Sequence, residues 1–164
     1  MKMILPGGSG QIGVLLARSF QAAGHEVIVL SRAPDPAAPW ATLPWDGASL
    51  GAWAAAFEGA DVVINLAGAS VNCRYTPANQ RRITDSRVLS TLAVGKAIQR
   101  AARPPRLWLQ SSTATIYAHR YDAPNDDLTG VVGGDERAPA TWRFSVGVAR
   151  AWEQALAQIE TPGT

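Results

Sequence analysis

The 164-residue chain has one cysteine, Cys73. An intrachain disulfide is therefore impossible, and a metal cluster built on several thiolates is excluded. Histidine is scarce as well: His25 and His119 stand far apart, without the spacing of paired metal ligands. No apolar run approaches the roughly 20 residues that cross a bilayer. The N-terminus (MKMILPGGSG) reaches its glycines too early to form the apolar core of a secretory leader. The expectation is a cytoplasmic protein with no membrane partner and no metal. Charge is sparse too, at 17% Asp, Glu, Lys and Arg, with a formal net charge of +2. So small an excess gives no electrostatic footprint for nucleic acid. What remains is 47% apolar residues without repeats or low-complexity tracts. That composition belongs to a globular chain, and its length predicts a single domain over 1–164.

Strand-like and helix-like segments alternate along the chain. Lys2–Leu5 is a short apolar run that breaks into Pro6-Gly7-Gly8-Ser9-Gly10. Gln11–Ala23 carries Ile12, Leu15, Leu16, Phe20 and Ala23 at helical spacing, and Gly24 stops it. Val27–Leu30 is a continuous β-branched and apolar run, as a strand buried on both faces requires. Beyond a proline-rich loop, Trp40–Trp45 reads as an edge strand and Leu50–Phe57 as a short helix. Ala60–Leu66 is the next buried strand. Pro77–Ala102 is the longest helix, closed by Pro104-Pro105. Leu107–Leu109 is a strand, 114–141 is mostly loop, and Thr141–Ile159 is a last helix. Its Trp142 and Trp152 are expected to pack it on the sheet. This alternation predicts an α/β fold: a doubly wound parallel sheet of Rossmann type in three α/β/α layers. With four clear strands and one weak one, the sheet falls short of a complete dinucleotide-binding domain.

The spacing Gly7-x-x-Gly10-x-x-Gly13 sits between the first strand and the first helix. Such a turn must be tight, must let backbone approach a pyrophosphate without an intervening Cβ, and must pack the helix close to the strand. The helix N-terminus then offers free N–H groups, here at Gln11, Ile12 and Gly13. A bare glycine-rich turn is the competing reading; the strand-before, helix-after context favours phosphate binding. A phosphate loop of the lysine-serine type is excluded, because Gln11-Ile12 stands where that pair would be.

The second strand ends in Ser31-Arg32 with no carboxylate at its tip. NAD-binding sheets place an acid about 20 positions past the glycines, to accept the ribose hydroxyls. Arg32 instead offers a fork of donors suited to a phosphate, and Ser31 adds a hydroxyl. Both point to the 2′-phosphate of NADP; a solvated surface arginine is the alternative. Asp46 follows another strand and either accepts from the adenine amino group or closes an Asp-Gly turn. Asn65-Leu66-Ala67-Gly68 ends the next strand, and its small residues let a ribose lie close. Arg81, Arg82, Arg87, Lys96 and Arg100 on the long helix are interrupted by Asp85 and lack interleaved aromatics, against a nucleic-acid face.

These motifs resemble the extended short-chain dehydrogenase/reductase superfamily in its NAD-dependent epimerase/dehydratase branch. They are similar in particular to its atypical group of YfcH-like and family 39U epimerase-family proteins. The carrying residues are Gly7-Gly8-Ser9-Gly10-Gln11-Ile12-Gly13, Leu30-Ser31-Arg32, Trp45-Asp46, Asn65-Leu66-Ala67-Gly68, Ile83-x-x-Ser86-Arg87 and Ser111–Tyr117. The resemblance implies that Gly7–Gly13 bind pyrophosphate, Arg32 the 2′-phosphate and Asp46 adenine. It places Leu66, Ala67 and Gly68 along the ribose and turns Ser86-Arg87 toward the cofactor. Thr113 takes the place of the catalytic serine. The substrate is an unknown small molecule, which Arg74 and Tyr75 could reach through an anionic group. Dimers of the superfamily use the long helix, so a homodimer is expected.

The pattern then departs from the superfamily. A tyrosine acid/base followed four residues later by lysine is its proton-transfer pair. Aligning Glu153 with the glutamate that follows this pair puts Ser145 at the tyrosine and Ala149 at the lysine. Tyr117 is the remaining catalytic candidate, against a packed aromatic as its plain reading; Tyr121 and His119 lie nearby. The chain is also about half the size of that group, so the C-terminal strands and substrate lobe are expected to be missing. Two functions follow: an NADP-dependent oxidoreductase or epimerase-like protein, or an NADP-binding module without turnover.

Overall fold

A computed structural model describes residues 1–118, 120, 122–133 and 138–164. His119 and Tyr121 lie outside the described residues. Five strands form one parallel sheet: β1 (Lys2–Pro6), β2 (Glu26–Ser31), β3 (Ala41–Pro44), β4 (Val62–Asn65) and β5 (Leu107–Gln110). Their order across the sheet is β3-β2-β1-β4-β5. Three α-helices cross over between or after them: α1 (Gln11–Ala22), α2 (Pro77–Arg100) and α3 (Ala140–Ala157). This is the expected Rossmann-type doubly wound sheet. Chain order reverses between β1 and β4, which places the ligand crevice of such sheets over the C-terminal ends of those two strands.

Burial on both faces explains why β1 and β2 read as unbroken apolar runs. Side chains alternate along a strand. Met3 and Leu5 of β1 join Val27 and Val29 of β2 beneath Ala17 of α1. Ile4, Ile28 and Leu30 face the other way, onto Ala93, Val94, Ala97 and Ile98 of α2. Trp45, Trp53 and Phe57 complete that second layer, with ring centroids 5.2 and 5.5 Å apart along the series. The expected short helix at 50–57 is a 3-10 turn over Ala52–Phe57. It presses Trp53 and Phe57 into the layer, which two tight turns accomplish.

Local signals set the helix limits. Thr76 caps α2 by accepting from the Asn79 N–H (3.3 Å), and Pro77 occupies the first helical position, where its missing N–H costs nothing. Gly24, at φ +78°, follows the end of α1. The final helix departs from expectation in its neighbour. Trp152 packs on α2, and its indole N–H donates to Thr91 Oγ1 at 3.1 Å. Just past the end of α3, Ile159 packs on Gly95 of α2, where a Cβ would lie 2.7 Å from its side chain. β5 borders the sheet, and its Leu107 and Leu109 remain 45% and 46% exposed.

Gly13 shows how tightly α1 sits on its loop. A Cβ there would lie 2.3 Å from the Gly8 Cα and 2.4 Å from the Gly8 carbonyl oxygen. Backbone, not a flexible side chain, would have to move. Gly13→Ala is expected to cost about 1–3 kcal/mol by overpacking, read as a lower urea midpoint with an unchanged m-value.

Candidate functional site

A cleft of about 600 Å³ opens at the switch point. Gly7, Gly10, Leu66, Ala67 and Gly68 line it from the strand ends, Ser31, Arg32 and Asp46 from the β2–β3 side, and Ser86 from α2. The structure thus gathers most of the sequence-derived cofactor residues in one place. Gln11, Ile12 and Gly13 form the first turn of α1 directly after Gly10. Thr113 and Tyr117 stand apart, beyond the end of β5, and do not line this cleft.

The glycines hold distinct duties. Gly7, at φ +74°, passes so close to the end of β4 that a Cβ would lie 2.6 Å from the Ala67 Cα. Its N–H donates to the Leu30 carbonyl at 2.9 Å, drawing the loop across the tip of β2. Gly10 is different. A Cβ there would meet only the Gly7 carbonyl oxygen, at 3.7 Å, so nothing inside the protein demands a glycine. It lies at the N-cap of α1 without a side-chain cap, and the first turn holds no acidic residue. The helix end is therefore left uncapped and positive in character, ready for an anion.

Ser31 and Arg32 part company. The buried Ser31 hydroxyl lies 3.0 Å from Ser9 Oγ, and its oxygen accepts from the Ala33 N–H at 3.2 Å. It ties the glycine loop to the β2 tip. Arg32 is exposed at the rim and has neither an ion pair nor a hydrogen bond among the described residues. Asp46 Oδ1 accepts from the Ala48 and Ser49 N–H groups at 2.8 and 2.7 Å. These amides hold its carboxyl below the usual carboxylate range, Ser49 contributing most. Asp46 thus closes its own turn while bordering the cleft.

At the β4 tip, the fully buried Asn65 donates to Gln110 Oε1 (3.0 Å) and accepts from the Ala67 N–H (3.1 Å). Its polar groups are satisfied internally, and they fix the shape of the Leu66-Ala67-Gly68 ledge. Ser86 Oγ accepts from the Ala69 N–H at 2.8 Å and donates to the Ile83 carbonyl at 3.0 Å, pinning that ledge to α2. Sequence reasoning misses Arg82, Asp85 and Leu89 as cleft residues. Their period with Ser86, at i, i+3, i+4 and i+7 on one helix face, is the signal that identifies them.

Beyond β5, Thr113 Oγ1 lies 3.0 Å from Thr115 Oγ1 and accepts from the Thr115 N–H at 3.3 Å, capping a 3-10 turn over Ala114–Ile116. Tyr117 makes an antiparallel bridge with Val132, and its ring packs over Gly130, where a Cβ would lie 2.6 Å from the ring carbon Cε1. Ser112 donates to Glu153, joining this segment to α3. Ser145 Oγ donates to the Thr141 carbonyl at 3.0 Å, and Ala149 is fully buried. Among the described residues, no group of three or more His, Cys, Asp or Glu could hold a metal, and no helix is long and apolar enough to cross a membrane.

Residues 3–135 match the NAD dependent epimerase/dehydratase family. The chain belongs to this family. Among its relatives is the epimerase family protein SDR39U1 of Homo sapiens, 29% identical over 158 residues, covering 94% of this chain and 48% of the human one. The Mus musculus counterpart is 32% identical over 121 residues, covering 71% and 38%. A solved structure of human SDR39U1 (isoform 2) with NADPH superposes with a TM-score of 0.69 at 28% identity, covering 100% of this chain and 50% of that one. The chain spans about half the length of the curated relatives it matches.

Gly10 separates folding from binding. Alanine is compatible with its φ of −77° and ψ of 173°, so Gly10→Ala is expected to leave the melting temperature unchanged or slightly raised. The same variant should weaken ADP binding in isothermal titration, because the new methyl group would crowd an anion approaching the uncapped first turn of α1.

Proposed function

We propose that the chain holds NADP in the switch-point cleft, as the nucleotide-binding part of an NADP-dependent oxidoreductase or epimerase-like protein acting on an unknown small molecule. In this reading the amides of Gln11, Ile12 and Gly13 face the pyrophosphate, Gly10 leaves its path clear of a side chain, and Gly7 lets the ledge come close. Leu66, Ala67 and Gly68 lie along the ribose, with Ser86 holding their loop in place. Asp46 borders the adenine, and Ser31 sets the β2 tip. Arg32 takes the 2′-phosphate. Thr113 and Tyr117 stand on the side where substrate chemistry takes place.

The observation that carries the cofactor choice is the unpaired Arg32 at the rim of a cleft whose β2 tip has no carboxylate. A guanidinium with all its donors free suits a phosphate dianion. The NADPH bound in the human relative supports the same choice. A second reading, an NADP-holding module without turnover, draws on α3. Ser145 gives its hydrogen to its own helix, and Ala149 has no ionisable group.

The test is titration with NADPH and NADH. NADPH is expected to bind more tightly. Arg32→Ala should weaken NADPH by about tenfold or more while leaving NADH unchanged, since an Arg–phosphate contact is charge-assisted and NADH lacks that phosphate. Equal affinities for the two nucleotides in the unmodified chain would overturn the NADP reading.

A further inference from the structure

Arg87 is a cation without an acid among the described residues. It projects from α2 into the space between the β4 ledge and α3, where it is half-buried. Its guanidinium carbon lies 5.2 Å from the centre of the Trp152 ring. The same carbon would be 3.2 Å from a Cβ at Gly68, so the guanidinium lies flat against the ledge. One nitrogen, Nη1, donates to the Ala69 carbonyl at 3.2 Å and to the Ile83 carbonyl at 3.0 Å. Nε and Nη2 have no acceptor among the described residues, and no carboxylate pairs with the group. Burial pushes the guanidinium pKa down, and the Tyr75 hydroxyl nearby offsets part of that.

A tie between a loop and two helices needs none of this. A half-buried cation without a counter-charge is an expensive way to hold two carbonyls. The alternative lies in its place beside α3. Trp152 follows Ala149 by three residues, so the two share a helix face. The side chain at 149 is a buried methyl group, at the position where the resemblance aligns the lysine of the proton-transfer pair. Arg87 brings a positive charge to that face from the neighbouring helix. It also lies against Gly68, the last residue of the ribose ledge. A dinucleotide seated with its adenosine half between Arg32 and Gly10 continues across the switch point past this glycine. Tyr75, whose ring meets Phe144 edge-on at 5.1 Å, lies near enough to act on the Arg87 charge.

We propose that Arg87 is a cofactor-binding residue that supplies from α2 the cation missing from α3, donating through Nε and Nη2 to the ribose and phosphate of the nicotinamide half. This inference rests on the NADP reading above. It differs from that reading in naming which half of the cofactor the residue holds.

Two probes separate the halves: NADPH, and 2′,5′-ADP, which lacks the nicotinamide ribose and its phosphate. Both are titrated calorimetrically into the full chain and into Arg87→Met, Arg87→Lys and Arg32→Ala variants, each with a thermal melt. Arg87→Met is expected to weaken NADPH by about tenfold or more and leave 2′,5′-ADP unchanged, as loss of charge-assisted hydrogen bonds predicts. Arg87→Lys should restore part of the NADPH affinity, and Arg32→Ala should weaken both ligands. Equal weakening of both ligands by the Arg87 variants would make the residue a structural tie and overturn the proposal, as would no change in either. If Arg87→Met melts before the titration temperature, Arg87→Lys decides: it retains the charge but not the fork, so NADPH must fall against an unchanged 2′,5′-ADP. Failure of the unmodified chain to bind either probe would defeat the NADP reading itself.

Discussion

The approach of Gly7 to Ala67 governs the upper surface of this protein. β1 lies at the centre of the sheet, hydrogen-bonded to β2 on one side and β4 on the other. Where β1 ends, the chain must leave toward α1 without striking the end of β4. A Cβ on Gly7 would sit inside the Ala67 backbone, so the residue has no side chain and takes a positive φ. The glycine loop can then lie low, with its N–H bonded to Leu30 and the N-terminus of α1 facing the crevice. The cleft, its floor and its positive helix end follow from that contact. Asn65, Ser86 and Ser31 brace it from three directions, each through hydrogen bonds that no ligand supplies.

Much of this was legible in the residues alone. Val27–Leu30 and Ile4-Leu5 announce doubly buried strands because both faces of a parallel sheet are covered, so apolar residues need not alternate with polar ones. Gly7, Gly10 and Gly13 announce the loop because glycines at that spacing fall between an apolar strand and an amphipathic helix, where a tight turn needs them. Less legible was anything that depends on which distant element supplies the neighbour. The apolar stripe of α3 reveals a buried face but not that Thr91, 61 residues earlier, receives the Trp152 N–H. The segment 114–141 carries turn residues without periodicity, so its bridge from Tyr117 to Val132 left no local trace. Asn65 reads as a free polar tip until Gln110 and the Ala67 amide are seen around it.

Charge divides the site unevenly. The carboxylate bordering the cleft at Asp46 is held by its own turn, whereas Arg32 and Arg87 carry charge with no carboxylate partner among the described residues. The two arginines stand on different arms of the chain, one exposed and one half-buried, so they face water differently. The exposed one costs little to leave unpaired. The half-buried one is held by an aromatic face and two carbonyls, a setting that keeps a cation in place while leaving donors in reserve.

The cleft draws its walls from two stretches of chain that are distant in sequence. One runs from the glycine loop through the β2 tip to Asp46; the other from the β4 ledge into α2. A molecule lodged between them acts as a rivet. It joins segments that loosen separately, so its binding free energy adds to the work needed to part them. Occupancy of the crevice and resistance of the sheet to opening are therefore one linked equilibrium. In the empty protein, fraying should begin where the rivet is absent, at the loop over β1 and the first turn of α1, before the layers beneath let go.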